Sequence, residues 1–336
     1  MTASTAASVG TTNVAGSSVS TQFQKRIISV SFTFGNVLDG AGNPTSQARN
    51  FTGTSSNMVT FTGPRVSAAI RAIGGNSQGS CDLRIYGLTL DHMNQLTVYG
   101  TPLLTNVQGN TVSVSAGTTQ SGLSIVYAGP IARAVPDFGG APDVAFQVTG
   151  LQALAAALRS TAPTSYPGSA DVATIMTNLA AQIPPNGALL ANSGVQVRLT
   201  NPYFWGSVYS QIEQCAEAAG INYYLDSSGD GKAVLAIWPK GGSRNTAAGG
   251  TIPLISAATG MVGYPTPTPM GVNVTTVFNP SLVFGSLVKI QSTLPSCTGT
   301  FQIFQMEHNL ESEIPGGAWF TRLETYRELG KVPLIF

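Results

Sequence analysis

Between Thr251 and Tyr326 apolar and polar residues alternate with a period of two, and glycine or proline falls at each break. Val272 and Val274, Val288 and Ile290, Phe301 and Ile303, then Trp319, Thr321 and Leu323 each share one side of an extended chain. Turns are supplied by Gly260, Gly285 and the Pro315-Gly-Gly run. The same grammar fills Lys25–Val148. Ile28, Val30, Phe32 and Phe34 alternate with Ser29, Ser31 and Thr33, and further strands are expected around Val59, at Val66–Ile73, and around Leu83, Leu96, Val112 and Leu123. About eight short strands with regular turns predict a barrel or sandwich. Their second face is rich in Ser and Thr, which suits another protein surface or a water-filled lumen.

The period changes between Gly150 and Lys240. Leu151, Leu154 and Leu158 fit a helix, although Val144, Phe146 and Val148 enter as a strand. A helix is expected over Asp171–Ile183, with Ser169 as N-cap and Pro184-Pro185 as stop. A second is expected over Asn201–Gly220, capped by Asn201 and burying Trp205, Val208, Ile212, Cys215 and Ala219. Val195–Leu199 reads as a short strand. Ile221–Leu225 and Ala233–Trp238 flank a turn and read as a hairpin. Gly241–Gly250 is a small-residue linker, and the prolines of Tyr264–Met270 predict an extended loop.

Charge is scarce: 16 basic and 15 acidic side chains in 336 residues, 9% of the chain. A typical soluble domain carries ~25%. Met1–Gln24, Met93–Ala132 and Asn245–Val288 carry none. Such a surface is either polar and neutral or covered by other subunits, where charge would be desolvated; the second reading is favoured. The net charge of +1 and the lack of a basic run leave no electrostatic footprint for tight nucleic-acid binding. No run of ~18 apolar residues spans a membrane, and Met1–Gly10 lacks signal-peptide features. Cys81, Cys215 and Cys297 are odd in number and far apart, which fits a reducing compartment rather than a disulfide framework.

A series of phrases in order carries a resemblance: Ala170-Asp-Val-Ala-Thr-Ile-Met, Leu199-Thr-Asn-Pro-Tyr-Phe, Ala218-Ala-Gly-Ile, Leu235-Ala-Ile-Trp-Pro-Lys-Gly, Gly260-Met-Val-Gly-Tyr-Pro, Phe278-Asn-Pro-Ser-Leu-Val-Phe-Gly and Pro315-Gly-Gly-Ala-Trp. Over roughly residues 25–326 the chain resembles baseplate hub proteins of contractile-tailed bacteriophages. The resemblance implies a mainly β protein with two tail-tube-like antiparallel β-barrel domains and a small α+β insert. The expected division is an N-terminal arm at 1–24, a first barrel at 25–148, the insert at 149–248, and a second barrel with C-terminal tail at 249–336. It further implies a homotrimer in the virion tail baseplate, assembled in the host bacterial cytoplasm. Its partners would be the tail tube or a tube-terminating protein, the central spike and wedge proteins. Genomic DNA would pass through without specific binding, with no cofactor and no membrane insertion. The arm at Met1–Gln22 is expected to pack on a neighbouring subunit or partner.

Candidate chemistry is thin, and no catalytic, cofactor-binding or metal-binding residue is assigned. His92 and His308 lack ligand partners at metal-site spacing. Gly75-Asn-Ser77-Gln-Gly79 matches a nucleophile-elbow pattern but precedes a strand, so a hairpin loop is expected. Gly229-Asp-Gly-Lys232 lacks the first glycine and final hydroxyl of a P-loop, and Asp226 and Asp230 are too few for an EF-hand. Glu307, Glu311, Glu313 and Glu324 lie near Trp319 and Phe320, which keeps a cell-wall hydrolase or a carbohydrate-binding adhesin as rival readings. A single-barrel tube subunit is a third. Core packing of Trp319 is the favoured account of that residue.

Overall fold

The computed structural model describes residues 24–38, 44–73, 78–98, 109–244 and 251–327. The expectations for the N-terminal arm before Gln24 and for the tail after Arg327 fall outside these residues. The chain opens with β1 (Arg26–Thr33), β2 (Asn36–Leu38), β3 (Pro44–Ala48), β4 (Met58–Thr62), β5 (Val66–Ile73) and β6 (Ser80–Tyr86). Helix α1 (Leu90–Leu96), β7 (Thr111–Thr118), β8 (Gly122–Asp137) and β9 (Ala145–Leu151) follow. The middle holds α2 (Leu154–Leu158), β10 (Thr164–Ser165), β11 (Ser169–Asp171), α3 (Val172–Ala180), β12 (Leu189–Asn192) and β13 (Arg198–Thr200). It ends with β14 (Tyr203–Phe204), α4 (Val208–Ala219), β15 (Ile221–Ser227) and β16 (Ala233–Pro239). The last part adds β17 (Leu254–Ile255), β18 (Met261–Pro267), β19 (Gly271–Val277), β20 (Leu287–Ile290), β21 (Gly299–Ser312) and β22 (Trp319–Arg327).

Strands from both ends of the chain enter one 13-stranded sheet, ordered β18-β19-β22-β21-β5-β6-β9-β8-β7-β1-β4, with β20 on β21 and β17 on β20. The join is the antiparallel pair β5–β21, in register from Gln305 opposite Ile73 to Ser312 opposite Val66. Burial on β5 alternates strictly, with Val66, Ala68, Ile70 and Ala72 inward. This alternation fixes the register, because a one-residue slip would turn the apolar set to solvent. The first core gathers Ile28, Val30 and Phe32 of β1 and Val112 and Val114 of β7 against Ile70, Leu83, Ile85 and Phe146. The sheet therefore folds over on itself, with β1 and β7 facing β5, β6 and β9.

The middle segment is not a free appendage. On β16, Leu235 and Ile237 belong to the core of α3 and α4. The intervening Ala236 and Trp238 belong to the core of the C-terminal strands, beside Phe284 and Val288. On β15, Ile221 and Leu225 face the helices while Tyr224 faces Phe284, ring centroids 4.4 Å apart. One hairpin thus walls two cores, and period two is what lets it do so. Arg244 adds a tie: its guanidinium reaches Asp226 at 2.6 Å, and its backbone N–H donates to the Gly285 carbonyl.

Several expectations are corrected. Leu96 does not lie in a strand; it closes α1, whose N-cap Thr89 accepts from the His92 N–H. α3 is capped by Asp171, not Ser169, which sits in β11. α4 starts at Val208 with Ser207 as cap, so Asn201 caps nothing and adopts φ 49° in the preceding loop. Trp205 consequently lies outside the helix and is 64% exposed, while Val208, Ile212 and Cys215 form the buried stripe. The C-terminal expectation holds: Gly220 is left-handed, φ 62°. The expected strand at Val195–Leu199 is shorter and shifted: β13 spans Arg198–Thr200. The Leu151–Leu158 stretch divides between strand β9 and helix α2. The proline-rich loop proves to be mostly β18, tolerated because that strand lies at a sheet edge where missing donors cost no ladder bonds.

Gly285 marks the tightest point of the shared wall. It has φ 80°, and a Cβ there would meet the Trp238 ring at 2.8 Å. Gly285→Ala is expected to destabilise the protein by about 1–3 kcal/mol, measured as a lowered midpoint in urea with an unchanged slope.

Candidate functional site

The side of β19, β22, β21, β5, β6, β9 and the end of β8 that faces away from the cores is mainly polar, interrupted by Val277, Phe320 and Ala69. Directly opposed residues on antiparallel strands project to the same side, so the registers can be read as rows. One row runs Thr275, Arg322, Glu307, Arg71, Ser80. The next runs Val277, Phe320, Asn309, Ala69, Asp82, Thr149, Arg133. Glu311, Ser67, Arg84 and Gln147 make a third. Glu324 and Asp137 flank these rows.

Charge on this face is arranged with alternating sign. Arg71 reaches Glu307 at 3.0 Å and Asp82 at 3.3 Å. Asp82 also accepts from Thr149 Oγ1, at 3.0 Å, and Asp137 accepts from Gln147 Nε2, at 2.7 Å. Glu311 accepts from Ser67 Oγ and from the Ala318 N–H. Arginines 71, 84, 133 and 322 stand against carboxylates 82, 137, 307, 311 and 324, so the face is hydrophilic yet close to neutral. Exposed pairs of this kind contribute only ~0.2–1 kcal/mol each to stability; their chief effect is on the field the surface presents. The outer side of β1, β4 and β7 differs. Ser29 meets Thr62 and Ser31 meets Thr60 through their hydroxyls, at 3.0 and 2.8 Å, and that side of the three strands carries no charge.

The residues singled out from sequence disperse. His92 lies on α1, bonded to Thr89 Oγ1 and edge-on to Phe61. His308 is interior, its Nδ1 2.8 Å from Thr321 Oγ1 and its ring edge-on to Phe278. Residues 75–77 of the elbow-like phrase lie outside the described residues, and the phrase leads into strand β6, paired antiparallel to β5. Asp226 is engaged by Arg244. Asp230 sits at the hairpin tip with Ser228 and Lys232, which hold its carboxyl below the usual range. Glu307 and Glu324 lie on the polar face, away from Trp319, which points to the opposite side and is 4% exposed; Glu311 and Glu313 line one cleft with the edge of that indole, with Glu311 accepting from Ser67 and Ala318. Glu313 pairs with Lys25 at 2.7 Å. Among the described residues no group of three His, Cys, Asp or Glu is placed to hold a metal, and the three cysteines are buried and unpaired. No described helix is long and apolar enough to cross a membrane. The charged lattice itself went unread in the sequence, although charges at alternate positions on neighbouring strands were its visible signal.

Burial moves the His308 pKa from 6.5 down to about 4. The neutral imidazole is the native form, so its contribution is complete above pH 6.5 and is lost as pH falls toward 4. A loss of about 3 kcal/mol over that window follows from linkage. Urea titrations of wild type and His308→Gln between pH 4 and 7 should show the steeper decline in the wild type.

The comparisons with known proteins agree on the architecture. A tail protein from Neisseria meningitidis MC58 superposes with TM-score 0.50 at 13% identity, over 79% of this chain and 96% of that one. The Escherichia coli c3393 protein is described as a type VI secretion component similar to phage T4 tail proteins gp27 and gp5. It gives TM-score 0.52 at 10% identity, over 78% and 73%. A chain of the lidded Francisella PdpA–VgrG complex gives TM-score 0.55 at 9% identity, over 92% of this chain and 54% of that one. No curated protein is matched by the sequence. At such identities these structures speak for the fold alone, but the pattern of a family described as baseplate hub gp41 matches residues 50–315. The chain belongs to the baseplate hub gp41 family.

Proposed function

We propose that this protein is the hub of a contractile-tail baseplate: a homotrimer that joins the tail tube to the central spike, with its polar sheet face toward the path of the genome. The family match and the tail-protein fold support a structural role in the baseplate. The observation that carries the finer reading is the face itself. A conduit wall has to stay wet without gripping a polyanion, and a face of alternating charges of nearly balanced sign meets both needs.

Composition fits the trimer. Both ends of the sheet are uncharged strands, β4 with Met58 52% exposed and β18 with Tyr264 78% exposed. The β18 edge is blunted by Pro265, Pro267 and a bulge, but the β4 edge has neither proline nor lysine, and such edges are normally covered. Covering them with neighbouring copies hides apolar surface at ~25 cal/mol per Å². Two barrel-like units per chain, repeated three times, would meet a six-fold tube on one side and a three-fold spike on the other. On this reading the division at 25–148, 149–248 and 249–336 separates the units by sequence, and the chain does no catalysis of its own.

Mass measurement on the purified chain is expected to give three times 34.7 kDa, with three-fold symmetry by electron microscopy. A stable monomer would defeat the proposal. Duplex DNA is expected to show no retention by the trimer in 0.15 M salt. Micromolar binding would contradict a passive wall.

A further inference from the structure

Strand β14 and the residues beside it alternate strictly in burial: Pro202 and Phe204 are buried, while Asn201, Tyr203 and Trp205 are exposed. Phe204 belongs to the core of α3 and α4, so Tyr203 and Trp205 are turned away from that core, 61% and 64% exposed. Their Cα atoms lie roughly 6.5–7 Å apart at the rise of a strand. Both are held in place from behind. Tyr203 is paired with Ser165 of β10. Gln214 of α4 clamps the Trp205 backbone, donating to its carbonyl at 2.8 Å and accepting from its N–H at 3.4 Å. Among the described residues neither the Tyr203 hydroxyl nor the Trp205 indole N–H has a hydrogen-bond partner. Residues 160–168 and 199–206, which form this surface, contain no Asp, Glu, Lys or Arg. Fixed, exposed aromatics with free polar tips are the usual material of binding hot spots.

We infer that this aromatic face of one copy binds the proline-rich edge of the next copy, residues 264–270; this rests on the trimeric reading above. Strand β18 ends the sheet and has one unpaired side, where Tyr264 is 78% and Met270 61% exposed. Pro265, Pro267 and Pro269 recur at every second position. They supply carbonyls but no N–H, so they bar a further strand from pairing there. Such an edge is covered instead by aromatic rings that pack on prolines and donate to their carbonyls, the way proline-rich segments are recognised in aromatic-lined grooves. Tyr203 and Trp205 offer two rings and two donors, two residues apart as the prolines are. Neither side has charge to desolvate, since residues 245–288 carry none. The layering of the chain places the two patches apart within one copy. Leu235 and Ile237 of β16 face the core that holds Phe204, and Ala236 and Trp238 face the C-terminal core. The hairpin therefore stands between the aromatic pair and β18 of the same chain. Two unlike patches joined between copies make a heterologous contact, which closes into a ring rather than a self-paired dimer, as three-fold symmetry requires.

The test places one cysteine beside each patch of the full-length chain: Ser165→Cys, opposite Tyr203, and Thr266→Cys, between two of the prolines. Both positions are exposed and the three native cysteines are buried, so a short bis-maleimide reaches only the new thiols. The double variant is expected to give covalent species of two and three copies on a denaturing gel, and each single variant only one copy. Adding Tyr203→Ala and Trp205→Ala to the double variant is expected to cut the cross-linked yield about tenfold. No multi-copy species from the double variant, cross-linking by a single variant (which marks a like-with-like contact), or undiminished yield without the two rings would overturn the inference. A three-copy mass without these cross-links would sink this contact and leave the hub reading standing; a one-copy mass would sink both.

Discussion

The ladder between β5 and β21 is the contact on which the architecture rests. It joins residues more than 230 positions apart, and without it the two β regions would be separate sheets with two more open edges. Such a contact costs loop-closure entropy, but that cost grows only logarithmically with the intervening length. The strict burial alternation on β5 recovers it by setting a full row of apolar side chains into the core in a single register. The polar rows exist because of the same ladder: Arg71 meets Glu307 only when β5 and β21 are paired in this way.

The second constraint is the hairpin β15–β16. Each of its faces is apolar, and each completes a different core. A strand buried on both sides cannot carry polar alternation, which explains the run Val234-Leu-Ala-Ile-Trp238. The helical segment is therefore built into the β framework rather than tethered to it. Trp238 packs edge-on to Phe284 and leaves no room at Gly285 for anything larger than hydrogen.

Charge follows position in the fold. Nine of the 31 ionised residues lie on the sheet face where neighbouring strands bring opposite signs together, and the outer side of β1, β4 and β7 bears hydroxyls instead. A neutral hydroxyl surface loses less on burial against another protein than a charged one does. The two surfaces therefore suit different neighbours, water on one side and protein on the other.

The β character, the hairpin at Ile221–Trp238, the left-handed stop at Gly220 and the interior place of Trp319 were all determined by local sequence, because period, turn chemistry and side-chain size act within a few residues. Family membership was legible from the order of its phrases. Errors arose where local signals compete. Pro202 and Trp205 mimic the opening of a helix, yet Ser207 offers the better cap and the chain before it pairs as β14. Leu96 and Val98 alternate like a strand, but Thr89 caps a short helix whose Met93 and Leu96 find the core. Only the tertiary structure decided that both β regions share one sheet and that scattered charges form rows. Strand order and register are set by pairings across hundreds of residues, and no local pattern encodes which strand lies beside which.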